Sequence, residues 1–282
     1  MSSTPLKQAC VVGWPVAHSR SPLIHGYWLS RYGIDGRYTK RAVPPEEIEA
    51  FFSSLAAEGL AGCNVTIPHK EAALRSAEVR EPSATAVGAA NTLWLDERGR
   101  LSAANTDTYG YMTYLALETP DWSRRDAPVS VLGAGGAARA IVYGFLEAGV
   151  GEVRLFNRSA ARAAALAESF GPRVKVHAWE ERSRASTEAA VLVNTTAVGL
   201  KGDGTLDIDF TDFHPDCIVS DIVYVPLETG LIREARRHGL RTVDGLGMLL
   251  HQAVPGFEKW FGVRPEVTAE LYELIAADIE AT

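Results

Sequence analysis

The stretch VSVLGAGGAARAIVYGFLEAG, Val129 to Gly149, decides how the second half of the chain folds. Four apolar or small residues suited to a strand run into Gly133, Gly135 and Ala138, which stand on the GxGxx(G/A) spacing and open a helical pattern. Glycine permits the tight turn and lets backbone N–H groups approach a pyrophosphate, which the helix N-terminus then stabilises. The run Gly133, Ala134, Gly135, Gly136, Ala137 and Ala138 is therefore the expected phosphate cradle. A glycine motif alone also describes an ordinary strand-to-helix turn. The next strand, EVRLF, completes the β-α-β unit and favours dinucleotide binding.

That second strand selects the dinucleotide. An NAD site usually places a carboxylate at its end, about 20 residues beyond the glycines, for the ribose 2′-hydroxyl. This chain instead reads NRSAAR, where Asn157, Arg158, Ser159 and Arg162 offer hydrogen bonds and two guanidinium groups suited to a 2′-phosphate. NADP is the expected cofactor. The competing reading makes the two arginines solvated charges on a helix surface.

Working outward, the strands VSVLG, EVRLFN, RVKVH, AVLVN, CIVSDIVY and RTVD, with helical patterns between most of them, predict a mainly parallel doubly wound sheet. The first third also alternates strand and helix: ACVVGW, a helix from Pro22 to Tyr32, RYTKRAV, a helix from Pro45 to Ala57, then LAGCNVTI. A hairpin over Asn91 to Asn105 turns at DERG. TPDWSRRDAP is the most linker-like segment, and the chain from Leu246 onward is helical. The fold class is α/β.

With 282 residues and 46% hydrophobic content the chain has material for two cores. Its formal net charge of −7 leaves no basic footprint for nucleic acid or an anionic membrane surface, so a small-molecule substrate is expected. Cys10, Cys63 and Cys217 have no CxxC partner and read as reduced core thiols. The first residues lack a signal peptide's apolar segment and no run reaches membrane-spanning length, which points to the cytoplasm. The histidines show no metal spacing, and no metal is expected. Monomer and homodimer both fit this composition.

GCNVTIPHKEA, Gly62 to Ala72, raises a separate question. Pro68 suits the first position of a helix, so Lys70 falls in its first turn, where the helix dipole disfavours a cation and would lower its pKa. Lys70 is either a tolerated surface charge or a tuned acid/base. In AHSRSPLIH, Ser19 and Ser21 could present hydroxyls to a carboxylate or diol, although Ser21 also reads as an N-cap and Ser19 as a loop serine. Asp107, in AANTDTYG, likewise reads as an N-cap.

Together these stretches resemble the shikimate dehydrogenase family over essentially the whole length. The matches, in order, are HSRSP, NVTIPHKE, AANTL, NTD, GAGGAAR, NRS, DIVYVPLET and DGLGMLLHQA. The resemblance implies an N-terminal α/β substrate domain, residues 1–106 completed by helices in 245–282, and a Rossmann-like doubly wound NADP domain, residues 107–244, with the active site in the cleft. It assigns Lys70 and Asp107 to the catalytic pair, Ser19, Ser21 and Tyr224 to the substrate carboxylate, and Thr66, Asn91 and Gln252 to ring hydroxyls. Gly245 and Met248 match the region where substrate and nicotinamide meet.

The implied reaction is NADPH-dependent, reversible reduction of 3-dehydroshikimate to shikimate, in the biosynthesis of chorismate and aromatic amino acids. An alkoxide developing on the ring needs charge stabilisation and a proton, and Lys70 can provide both, oriented by Asp107. The chain departs from the family where Thr108 and Tyr109 follow Asp107 and where NTTAVGL replaces the usual NATSxGM type of run. A quinate/shikimate dehydrogenase of broader specificity and a non-catalytic NADP-binding regulator are the alternatives.

Overall fold

Strands that are apolar at nearly every position must be covered on both faces, and the second half of the chain shows this directly. Val129 and Val131 enter one core with Val191 and Val193, while Leu132 and Leu192 face the opposite one. A computed structural model describes residues 6–281. The chain forms two compact units, one reaching to Asp107 and including Leu250–Ile275, the other comprising Thr108–Leu249 and the residues from Ala276.

In chain order the elements are β1 (Lys7–Gly13), α1 (Ser21–Arg31), β2 (Gly36–Ala42), α2 (Ile48–Ser54), β3 (Leu60–Val65), α3 (Lys70–Ser76), β4 (Val79–Arg80), α4 (Pro82–Val87), β5 (Thr92–Leu95) and β6 (Leu101–Ala104). There follow α5 (Asp107–Glu118), β7 (Val129–Leu132), α6 (Gly136–Glu147), β8 (Val153–Phe156), α7 (Ala160–Phe170), β9 (Val174–His177), β10 (Val191–Asn194), β11 (Ile218–Asp221), α8 (Gly230–Arg237) and β12 (Arg241–Val243). The chain closes with α9 (Leu246–His251), α10 (Ala253–Phe261) and α11 (Ala269–Glu280).

The first unit holds a mixed sheet in the order β2-β1-β3-β5-β6-β4, in which β5 runs antiparallel to both β3 and β6. One face carries Cys10, Val12, Cys63, Val65 and Leu93 against Phe51, Phe52, Ala72 and Ala73 of α2 and α3. An aromatic cluster binds α1 to α10, with Trp28 edge-on to Phe257 at 5.3 Å. Trp260 Nε1 donates to Leu93 O at 2.9 Å, across Gly62, where a Cβ would lie 2.1 Å from that same oxygen. Close approach therefore fixes glycine at 62 and ties α10 to this sheet.

The second unit holds a wholly parallel sheet in the order β12-β11-β10-β7-β8-β9. Its first strand, β7, lies at the centre beside β10, the arrangement of a doubly wound fold. The linker-like segment 119–128 joins α5 to β7 inside this unit rather than separating the two units.

Three expectations need correction. Pro68 does not open α3: Thr66 O accepts from His69 N at 3.0 Å, a turn that occupies Thr66 to His69 and delays the helix to Lys70. Ser21 is not an N-cap but the first residue of α1, whose cap position is Arg20 with no side-chain hydrogen bond. Residues 245–249 and 276–281 belong to the second unit, not the first. The reason is local for the first segment, since Asp244 Oδ1 accepts from Leu246 N at 2.8 Å and Met248 is buried in the core around Tyr111 and Tyr114.

Candidate active site

Lys70 stands at the start of α3, just beyond the end of β3, and Asp107 at the start of α5, just beyond β6. Lys70 Nζ donates to Asp107 Oδ2 at 2.7 Å, and Asn91 Nδ2 donates to Asp107 Oδ1 at 2.8 Å. The pair is partly sheltered, with side-chain exposures of 31% for Lys70 and 15% for Asp107. Asp107 is the first residue of α5 rather than its cap, and its N–H donates to Asn105 Oδ1 at 3.1 Å, while its carboxylate is committed to Lys70 and Asn91. A carboxylate flanked by an ammonium and an amide can orient a proton donor, which a surface cation in a first helical turn would not require.

The other first-unit candidates are Ser19, Ser21, Thr66 and Gln252. Ser19 Oγ accepts from Ser21 N at 3.3 Å, and the two hydroxyls lie 3.2 Å apart. Thr66 packs so closely on Gly13 that a Cβ there would come within 2.4 Å of its Cγ2. Gln252 precedes α10 and is partly exposed.

In the second unit Gly133 has φ of +112°, and a Cβ on it would lie 2.6 Å from Thr195 Oγ1, so both backbone and neighbour demand glycine. Gly135 caps α6 without a side chain, and a Cβ at Gly135 or Gly136 would meet nothing within 4 Å. That open ground beside a 12-residue helix's N-terminus suits a phosphate. Ala138 is fully buried in the core between α6 and the sheet, with Ala134 packed against that core and Ala137 half-buried.

At the end of β8, Asn157 Nδ2 donates to Ser159 O at 2.9 Å and Ser159 Oγ caps α7 by accepting from Arg162 N at 3.5 Å. Arg158 and Arg162 are exposed, and neither guanidinium has a hydrogen-bond or ion-pair partner among the described residues. No carboxylate stands at this strand end. The residues present fit a dinucleotide carrying an additional phosphate.

Tyr224 lies beyond β11, partly exposed, in the loop leading to α8. Gly245 presses on the backbone of this loop, where a Cβ would lie 2.4 Å from Ile222 O. Met248 is 9% exposed within the second core. Among the described residues no group of three or more histidine, cysteine, aspartate or glutamate side chains is placed to hold a metal ion.

Comparison with known proteins places these features in one family. The profile of the shikimate dehydrogenase substrate binding domain matches residues 11–93, that of shikimate / quinate 5-dehydrogenase residues 115–200, and that of the shikimate 5'-dehydrogenase C-terminal domain residues 245–269. A shikimate dehydrogenase (NADP(+)) of Azorhizobium caulinodans is 53% identical over 276 residues, covering 98% of each chain. The chain belongs to the shikimate dehydrogenase family. The Thermus thermophilus shikimate 5-dehydrogenase solved with NADP(H) and shikimate is 35% identical, with a TM-score of 0.85 over 97% of this chain and 100% of that one. A quinate dehydrogenase of Corynebacterium glutamicum solved with NAD is 26% identical, with a TM-score of 0.88 over 96% and 99%.

Within this shikimate dehydrogenase family member, the Thr108 hydroxyl is committed to α6, where it donates to Ala140 O at 2.9 Å. Residues not anticipated from the sequence stand behind Lys70 and Asp107: Tyr38, Asn64, Thr92, Asn105 and Thr106, all buried. One signal was available. The tetrapeptide AANT occurs at 89–92 and again at 103–106, at the two open ends of the hairpin.

Proposed function

We propose that this chain reduces 3-dehydroshikimate to shikimate, reversibly and with NADPH, and that the Lys70–Asp107–Asn91 constellation carries the chemistry. The first unit would hold the substrate and the second the dinucleotide, over the glycine turn and against Arg158 and Arg162. Bound NADPH supplies the hydride. Lys70 Nζ gives the proton to the ring oxygen as negative charge develops there, which stabilises that charge as it forms. Asp107 holds the ammonium in place, and Asn91 Nδ2 retains a second N–H for a ring hydroxyl.

Thr66 and Gln252 would contact further ring hydroxyls, while Ser19, Ser21 and Tyr224 would take the carboxylate. Gly245 and Met248 would lie by the nicotinamide. The buried state of Cys10, Cys63 and Cys217 and the acidic composition accord with a cytoplasmic enzyme working as a monomer or homodimer on a small molecule.

Initial rates with shikimate and quinate, each paired with NADP and NAD, test this reading. Shikimate with NADP is expected to be the best pair, and replacing Arg158 and Arg162 with alanine is expected to raise KM for NADP while leaving that for NAD. A preference for quinate or NAD would overturn the specificity. Binding of NADPH without turnover of any pair would make the chain a regulator.

A further inference from the structure

The direction of the Asn91 amide is set by a count of donors. Asn91 Oδ1 lies 2.8 Å from Thr106 N, 3.1 Å from Thr106 Oγ1 and 3.1 Å from Thr92 Oγ1. A backbone N–H can only donate, so the group facing it must be the amide oxygen, and Nδ2 then points at Asp107. The two hydroxyls, 3.2 Å apart, hold two protons between them.

Their protons are directed in turn by Asn64. Its Nδ2 lies 3.3 Å from the carbonyl oxygen of Asn91, an acceptor only, and 3.3 Å from Thr92 Oγ1. The opposite orientation would set two oxygens against each other. Asn64 therefore donates to Thr92, while its own oxygen accepts from Tyr38 OH at 2.6 Å. Having accepted from Asn64, Thr92 must turn its proton toward Asn91 Oδ1 or Thr106 Oγ1. Either choice sends a hydroxyl proton to Asn91 Oδ1, directly or through Thr106.

We propose that Thr92 is a positioning residue for the reaction: its hydroxyl, fed by Asn64, locks Asn91 so that Asp107 and Lys70 are held in register. Thr92 is 1% exposed and acts only through Asn91. This rests on the assignment of Lys70 and Asp107 to the chemistry. Without the hydroxyl, Asn91 loses one constraint on its orientation, and Asp107 gains freedom to leave Lys70. Small displacements of this kind reduce turnover more than they reduce binding at a remote site.

Thr92→Val, Thr92→Ala and Thr92→Ser separate the hydroxyl from packing, because alanine and serine both lack the methyl and differ by the oxygen alone. Valine and alanine are expected to lower kcat by about tenfold to a hundredfold with KM for NADP unchanged, and serine to return most of the turnover. If valine prevents folding, the alanine and serine variants carry the comparison. Lys70→Ala is measured alongside. Full activity in Lys70→Ala would overturn the underlying assignment. An inactive Lys70→Ala beside undiminished alanine and valine variants, or equal losses in alanine and serine, would overturn the role of Thr92 alone.

Discussion

His25 shows how much one buried ring can contribute to the pH response of the fold. It is fully buried, stacked on Tyr38 with centroids 4.0 Å apart, and neither ring nitrogen makes a hydrogen bond of normal geometry. Burial lowers its pKa to about 3, against the weaker opposing influence of Asn64. Below about pH 6.5 the unfolded chain takes up a proton that the folded chain refuses, so stability falls as the pH falls through this window. The full effect, reached near the folded pKa, is on the order of 4 kcal/mol. Denaturation of the wild type and His25→Phe between pH 4.5 and 7.5 is expected to show the mutant gaining on the wild type as acid is added. Parallel curves would show that His25 accepts its proton in the folded state.

The same scale separates legible from illegible site residues. Lys70 stood out because a cation at a helix start needs a reason, and its partner at Asp107 supplies one. Thr92 gave no such signal. A threonine in a strand is an ordinary β-former, and only the approach of Asn64, Asn91 and Thr106 in space gives its hydroxyl a task.

At the scale of elements, Asp221 joins three of them. Its Oδ1 accepts from Asn194 Nδ2 at 2.8 Å and Val223 N at 3.0 Å, and its Oδ2 accepts from Thr229 Oγ1 at 2.7 Å. Thr229 caps α8, so one carboxylate links the ends of β10 and β11 to the start of α8 and spans the loop bearing Tyr224. Burial outweighs the three donors and raises the carboxyl's pKa to about 6. The folded state therefore keeps a proton that the unfolded chain releases near pH 4, and stability falls as the pH rises through the interval between them. The direction is opposite to that of His25. Asp221→Asn is expected to gain on the wild type by on the order of 3 kcal/mol between about pH 4 and 7, read from denaturant midpoints. A constant difference would mean that Asp221 is already ionised at pH 4.

Elements with strong local signals were legible: β7 and α6 follow from VSVLGAGGAARA, and the 92–104 hairpin from its strand-turn-strand pattern. The start of α3 was not. Proline suits a first helical position in general, but the turn between Thr66 and His69 settles where this helix begins.

At the scale of the molecule each unit has its own sheet and core, so each ligand should stabilise the unit that holds it. NADP at a hundredfold excess over its Kd is expected to raise hydrogen-exchange protection of β7, β8 and β10 by up to roughly 3 kcal/mol. Shikimate is expected to act on β1, β3 and β5. Protection by NADP confined to the first unit would overturn the assignment of the dinucleotide to the second.

The sequence by itself determined the α/β class, the glycine turn after β7, the absence of a carboxylate at the end of β8, and the family, because each depends on residue types at short spacing. Tertiary structure alone decided that Asp107 N meets Asn105 while its carboxylate meets Lys70 and Asn91, that residues 245–249 join the second unit, and that the Thr92 hydroxyl meets Asn91 Oδ1. These outcomes depend on which donors and acceptors meet once strands distant in sequence lie side by side. Hydrogen-bond partners in a buried network are set by distances of a few tenths of an ångström, and residue order does not encode those distances locally.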